Sequence, residues 1–353
     1  MDINLKFLNR VRGKEKVLFT RALSATISAG LPIVRALDLL MRQTDNKFFA
    51  SIIKDIIKRL EEGEKFSSAL SNYPNVFDAV FIASISSAEI SGKFDEVLKE
   101  LSDRQENEYK LESSIKGAIA YPLFIVFAMA IAAVILLVVV VPKIESVFTE
   151  SGTTLPLATR ILMGTAGFVI NYWYLLIIIV VGIIAWVRYY LKTDSGKMVA
   201  SKFVIHTPIV KEFYVNVFMA RFTKTFGMLV KSGVPIIQAV QLSGEVLDNI
   251  VYENILKNVS HQLERGVPMS APLAAATEFP PIVSQMIAVG EQTGKLDEVM
   301  ASLSDFFEEE SSRNVTMITS LLEPILLILV GGGVGTIVFA IIVPLYQISS
   351  TIK

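Results

Sequence analysis

Three stretches of this chain contain no Asp, Glu, Lys or Arg: residues 117–142, 161–187 and 324–352. Each is longer than the roughly 20 apolar residues needed to cross about 30 Å of hydrocarbon. A buried core helix explains a shorter run, but the uncharged stretch around WYLLIIIVVGIIAW is too long for that. The sequence therefore predicts three transmembrane helices, at 117–142, 161–187 and 324–346. Composition agrees, with 52% hydrophobic residues, 19% charged residues and a mean hydropathy of +0.53. A net charge of −1 argues against a nucleic-acid binder. Cysteine is absent and the two histidines, His206 and His261, stand far apart, so neither a disulfide framework nor a Cys/His metal site is expected.

Basic residues flank the uncharged stretches unevenly. Lys99, Arg104, Lys110 and Lys116 precede the first, whereas Lys143 and then Arg160 follow it. Arg188, Lys192, Lys197 and Lys202 follow the second; Arg313 precedes the third and only Lys353 follows it. Positive charge near span ends stays in the cytoplasm. All three stretches give the same sign: a cytoplasmic N-terminus, a cytoplasmic 188–313 segment, an external 143–160 loop and an external 347–353 tail. The basic start of the chain (Lys6, Arg10, Arg12, Lys14, Lys16) has no apolar run close behind it, so no signal peptide is expected.

The chain also repeats itself. FTRALSATISAGLPIVRAL from Phe19 matches FTKTFGMLVKSGVPIIQAV from Phe222, an offset of 203 that also pairs LEEG at Leu60 with LERG at Leu263 and Ser67 with Ser270. After one deletion the offset is 202, pairing AEISGKFDEV (from Ala88) with GEQTGKLDEV (from Gly290), Pro122 with Pro324 and Pro142 with Pro344. Matched punctuation over this length marks a duplication. Each unit is a cytoplasmic helical bundle, 17–116 or 188–313, followed by one span; residues 1–16 form a basic leader. The 161–187 stretch has no counterpart. Two copies in the same orientation need an extra crossing to keep both bundles on one side, and this stretch supplies it.

Inside each unit the punctuation is helical. Gly30 and Gly233 end one helix in a left-handed cap, and Pro32 and Pro235 open the next. Phe49, Ile52, Ile53, Ile56, Ile57 and Leu60 fall on one face at helical spacing. The expectation is an all-α fold with about six helices per bundle and no strand of any length. The last helix of copy one, from near Phe94, meets no Gly or Pro until Gly117 and should run on into the first span.

Two copies of F-T-x(7)-S/K-A/S-G-x-P, each followed by an E-x-x-G turn and a span, resemble the F-protein family of type II secretion and type IV pilus assembly. These are the GspF/PilC-type inner-membrane platform proteins. The resemblance covers about 17–350. It implies a non-catalytic, homo-oligomeric platform in the cytoplasmic membrane. The implied partners are a hexameric cytoplasmic assembly ATPase, pilin or pseudopilin subunits, other inner-membrane assembly proteins and lipid. Many members carry a longer N-terminal extension than this chain shows, and Ala88 stands where copy two has Gly290.

Several residues are candidates for the working parts. Glu89 and Glu291 sit near a helix C-terminus, where the macrodipole disfavours a carboxylate by roughly 0.3–1 kcal/mol. A compensating hydrogen bond is expected, from the first amides of the next helix near Asp95 or Asp297, or else a partner contact. With Gly30, Pro32, Gly92, Gly233, Pro235 and Gly294 they form the turn set. Gly331 and Gly335, with Gly332 and Gly333 between, suit close packing of membrane helices. Glu323, beside Pro324, is either a polar group inside the membrane or a mark of its boundary. Glu308–Glu310 reads as a solvated helix face, with contact to a basic partner surface as the alternative. No Ser/His/Asp set, H-E-x-x-H or phosphate loop is present, which leaves an enzyme or ATPase without support. The alternative is a small transporter or channel. Three uncharged spans, none of them visibly broken, offer it no ion or proton relay.

Overall fold

Each copy of the repeat folds into six matching helices, because the caps at Gly30, Asn46 and Gly92 recur at Gly233, Asn249 and Gly294. The computed structural model describes residues 10–140, 142 and 157–351. The first nine residues of the basic leader, most of the 143–160 loop and the last two residues of the tail lie outside the described residues. Copy one holds α1 (Gly13–Ser28), α2 (Ile33–Gln43), α3 (Lys47–Glu61), α4 (Phe66–Ser71), α5 (Ala79–Ser91) and α6 (Phe94–Ile135). A short π segment, Leu136–Val140, continues α6. The unmatched stretch contributes α7 (Leu157–Tyr190), followed by α8 (Asp194–His206). Copy two holds α9 (Pro208–Lys231), α10 (Ile236–Glu245), α11 (Ile250–Glu264), α12 (Ser270–Ala275), α13 (Pro281–Thr293) and α14 (Leu296–Thr351). The fold is all-α, with no strand among the described residues.

Local chemistry sets the boundaries. Asn46 opens α3 by accepting from the Phe48 and Phe49 amides, and its repeat partner Asn249 opens α11 by accepting from Val251 and Tyr252. Such caps satisfy amides that have no intrahelical acceptor and contribute about 1 kcal/mol each. Gly92 and Gly294 close α5 and α13 at φ values of 74° and 72°, a left-handed turn that a side chain disfavours.

The two bundles, residues up to Ser113 together with Lys197–Asn314, form one compact unit. Its core uses repeat-matched side chains. Phe19 packs on Phe77 at 6.1 Å in copy one, and Phe222 on Phe279 at 5.6 Å in copy two. Leu23, Ile53, Ile56, Leu70 and Ile85 are fully buried in the first bundle; Phe226, Tyr252, Leu256 and Ile287 are fully buried in the second. Each such side chain contributes about 1.5–3 kcal/mol by leaving water. The Tyr252 hydroxyl, carried into this core, donates to the Glu278 carbonyl at 3.0 Å.

The second unit comprises Ser114–Gly196 and Val315–Lys353. Its helix surfaces are apolar and open. Phe124, Phe127, Leu327, Ile328 and Phe339 are all exposed, a surface unsuited to water. Among the described residues, two helices are long and apolar enough to cross a membrane: α6, and α14 over Leu296–Gly335. Helix α7 leaves helical geometry at Tyr172 (φ −122°, ψ 18°).

Candidate functional site

The turns at the ends of α5 and α13 carry the same polar geometry in both copies. Glu89 and Glu291 each reach back to the start of the short helix immediately before their own. Glu89 accepts from the Ser67 amide at 3.2 Å and from the Ser67 hydroxyl. Glu291 accepts from the Met269 amide at 2.5 Å, from the Ser270 amide at 3.4 Å and from the Ser270 hydroxyl at 2.5 Å. The carboxylates therefore do cap a helix start, but it belongs to α4 and α12 rather than to the helices beginning near Asp95 and Asp297. Hydrogen bonds to a charged group contribute about 1.5–3 kcal/mol each. That exceeds the macrodipole penalty of up to ~1 kcal/mol. The sequence signal for this pairing is the serine that recurs with each glutamate, Ser67 and Ser270.

The glycine corners do related work. Gly30 (φ 85°) and Gly233 (φ 84°) close α1 and α9, the following amides of Leu31 and Val234 reaching back to Thr26 and Leu229. Pro32 and Pro235 then cap α2 and α10. The departure at Ala88/Gly290 has a steric basis: a Cβ at Gly290 would come within 2.8 Å of the Leu296 side chain and 3.2 Å of its Cα.

Copy one has a polar centre that copy two lacks. Arg104 is 2% exposed. It pairs with Asp78 at 3.0 Å and with Glu108 at 3.2 Å, while Asp78 caps α5 by accepting from the Phe81 amide at 2.7 Å. Burial pushes the Asp78 carboxyl up, but Arg104, the Phe81 amide and Lys16 outweigh it and hold it below the ordinary value. At the matched positions copy two has Pro280 and Phe306. In the sequence Arg104 stands out only as a charge flanking the first span; the signal for the pair is that Asp78 and Arg104 are both replaced in copy two, by Pro280 and Phe306.

The two copies meet through a few specific contacts. The Ser87 hydroxyl donates to the Ser232 carbonyl. Lys231 lies 2.5 Å from Glu100, and the Asn107 side-chain amide donates to Glu308 at 3.0 Å. Glu308 is thus part of the joint between bundles rather than a solvated face, while Glu309 and Glu310 pair with Arg313. His261 lies on the surface, 3.4 Å from Glu264, and His206 lies in α8. No group of three or more His, Cys, Asp or Glu suited to a metal occurs among the described residues. Glu323 is exposed on α14. Gly331 and Gly335 have open space where a Cβ would stand; a Cβ at Gly333 would meet the Met129 side chain of α6 at 3.3 Å.

A duplicated six-helix bundle, with the same serine–glutamate pairing in each copy and apolar helices beyond, matches a known profile. The family described as type II secretion system (T2SS), protein F, matches at residues 19–142 and again at 222–344. The chain belongs to the type II secretion system protein F family. Its relatives are similar along their length. The type IV pilus assembly protein PilC of Myxococcus xanthus is 30% identical over 352 residues, covering 100% of this chain and 84% of that protein. The PilC of Thermus thermophilus is 32% identical over 355 residues, covering 100% of this chain and 87% of that protein. The type II secretion system protein F of Pseudomonas aeruginosa is 29% identical over 348 residues, covering 99% and 86%. The protein F family thus includes proteins named for pilus assembly and proteins named for secretion.

Proposed function

We propose that this chain is a non-catalytic platform in the cytoplasmic membrane. It would couple a hexameric cytoplasmic ATPase to the assembly of pilin or pseudopilin subunits, alongside other inner-membrane assembly proteins. The observation that carries this reading is the joining of both repeat copies into one compact unit, which two bundles on opposite faces of a bilayer could not form. It supports three crossings, with α7 as the unmatched one. Helix α6 runs without interruption from the bundle residue Phe94 to Ile135, and this continuity supports a mechanical link from bundle to span. The relatives' names place them in filament-building and secretion machinery.

The test is site-specific photocrosslinking in cells from exposed bundle positions such as Lys58 and Lys257. The platform reading expects crosslinks to an assembly ATPase, and loss of filaments or secretion when the gene is removed. Intact filament assembly and secretion without the chain would overturn it. Solute flux through proteoliposomes of the purified protein would point to a transporter instead.

A further inference from the structure

The joint between the two copies is asymmetric, and the repeat shows that each half of it exists once more, unused. In the chain, α5 of copy one packs against α9 and α10 of copy two, with Ser87 bonded to the Ser232 carbonyl. On the α9–α10 corner that carries Ser232, Thr225, Met228, Ser232 and Val234 are buried; Met228 is 3% exposed and Val234 6%. The matched positions in copy one are Ala22, Ala25, Ala29 and Leu31. Ala25 and Ala29 are exposed, and Leu31 is 37% exposed. On the other side of the joint, Ser87 is matched by Val289 of α13, which is 48% exposed, with Ile282 on the same helix 41% exposed. The α1–α2 corner of copy one and the outer face of α13 are thus the counterparts of two surfaces that already fit each other.

We propose that the α1–α2 corner of one chain docks on the α13 face of a second copy, in the arrangement that α9–α10 and α5 adopt within the chain. The occupant is a second copy because this chain itself carries both halves of the matching pair. Where the joint inside the chain uses a serine, the open face carries a valine, and it would meet Ala29 and Leu31 as apolar surface leaving water. The ion pair Lys231–Glu100 maps onto Ser28 and Ser302, so docking desolvates no charge at those positions. A head-to-tail contact of this kind closes into a ring or continues as an open array. The inference deepens the platform reading and rests on it for the membrane that holds the copies side by side.

The chain has no cysteine, so the contact can be read directly in the full-length protein in its native membrane. Co-expressed A29C and V289C chains should form a disulfide-linked dimer on mild oxidation. The double variant should form a ladder of multimers, and A29C alone should stay uncrosslinked. Adding L31R should cut the crosslink yield about tenfold or more, since it forces an unpaired charge into the contact. Chains that self-associate in detergent without the A29C–V289C crosslink, or that link A29C to A29C, overturn the proposed surface and leave the platform reading intact. A strictly monomeric chain overturns the surface and removes self-association from the platform reading.

Discussion

Gly290 and Asp78 show how single positions separate two copies of one bundle. At Gly290 the backbone leaves no room for a side chain against Leu296, while copy one tolerates Ala88 at the same place. G290A should therefore destabilise the protein by about 1–3 kcal/mol, as overpacking in a filled core does. Calorimetry of the detergent-solubilised protein should show a lowered Tm, and an unchanged Tm would mean the contact relaxes freely. Asp78 gives a pH dependence. Its folded carboxyl lies below the ordinary value, so its contribution is present above about pH 4 and is lost as pH falls through the lowered folded value. Thermal melts should show stability dropping below about pH 4. D78N should lower Tm at neutral pH, because buried Arg104 loses a charged partner, and should flatten the acid slope. An identical acid slope in the variant would show that other carboxylates set it.

Among the elements, the serine–glutamate pairing ties the start of a six-residue helix to the end of a thirteen-residue one, in both copies. So short a helix has little stability of its own, and the carboxylate holds it in place. E89A and E291A should each cost about 1.5–3 kcal/mol, read as a Tm loss and as faster amide exchange confined to α4 or α12. Exchange that is unchanged there would show that packing alone holds the short helices. Much of this level was legible in the sequence. Gly30, Gly92, Gly233 and Gly294 mark helix ends through backbone sterics that act locally, and the 3–4 spacing of Phe49, Ile52, Ile53 and Ile56 marks a buried face. The acceptor of Glu89 was not legible, since Ser67 lies 22 residues away and only packing brings the two together. Arg104 was missed for the same reason: its burial depends on Asp78, 26 residues earlier. In the second unit, Gly331 and Gly335 have open space beside them, which suits packing against another copy. Mutating both to Leu should weaken self-association while leaving insertion intact, measured by size in detergent. Unchanged association would remove that seam.

For the whole molecule, the account depends on duplication. Two bundles with the same glycine and asparagine caps, the same aromatic pair and the same glutamate turn pack into one unit, and the unmatched helix α7 stands between them in the chain. The repeat itself was plain from the sequence. The way the copies join was not, because Ser87, Lys231 and Asn107 bond across the joint to residues more than a hundred positions away. The measurement that bears most directly on this architecture is sided labelling of single cysteines placed at two exposed positions, one per bundle. With K58C and K257C in sealed inner-membrane vesicles, a membrane-impermeant maleimide should modify both from the cytoplasmic face and neither from the other. Modification of the two from opposite faces would contradict the shared cytoplasmic unit and the platform built on it.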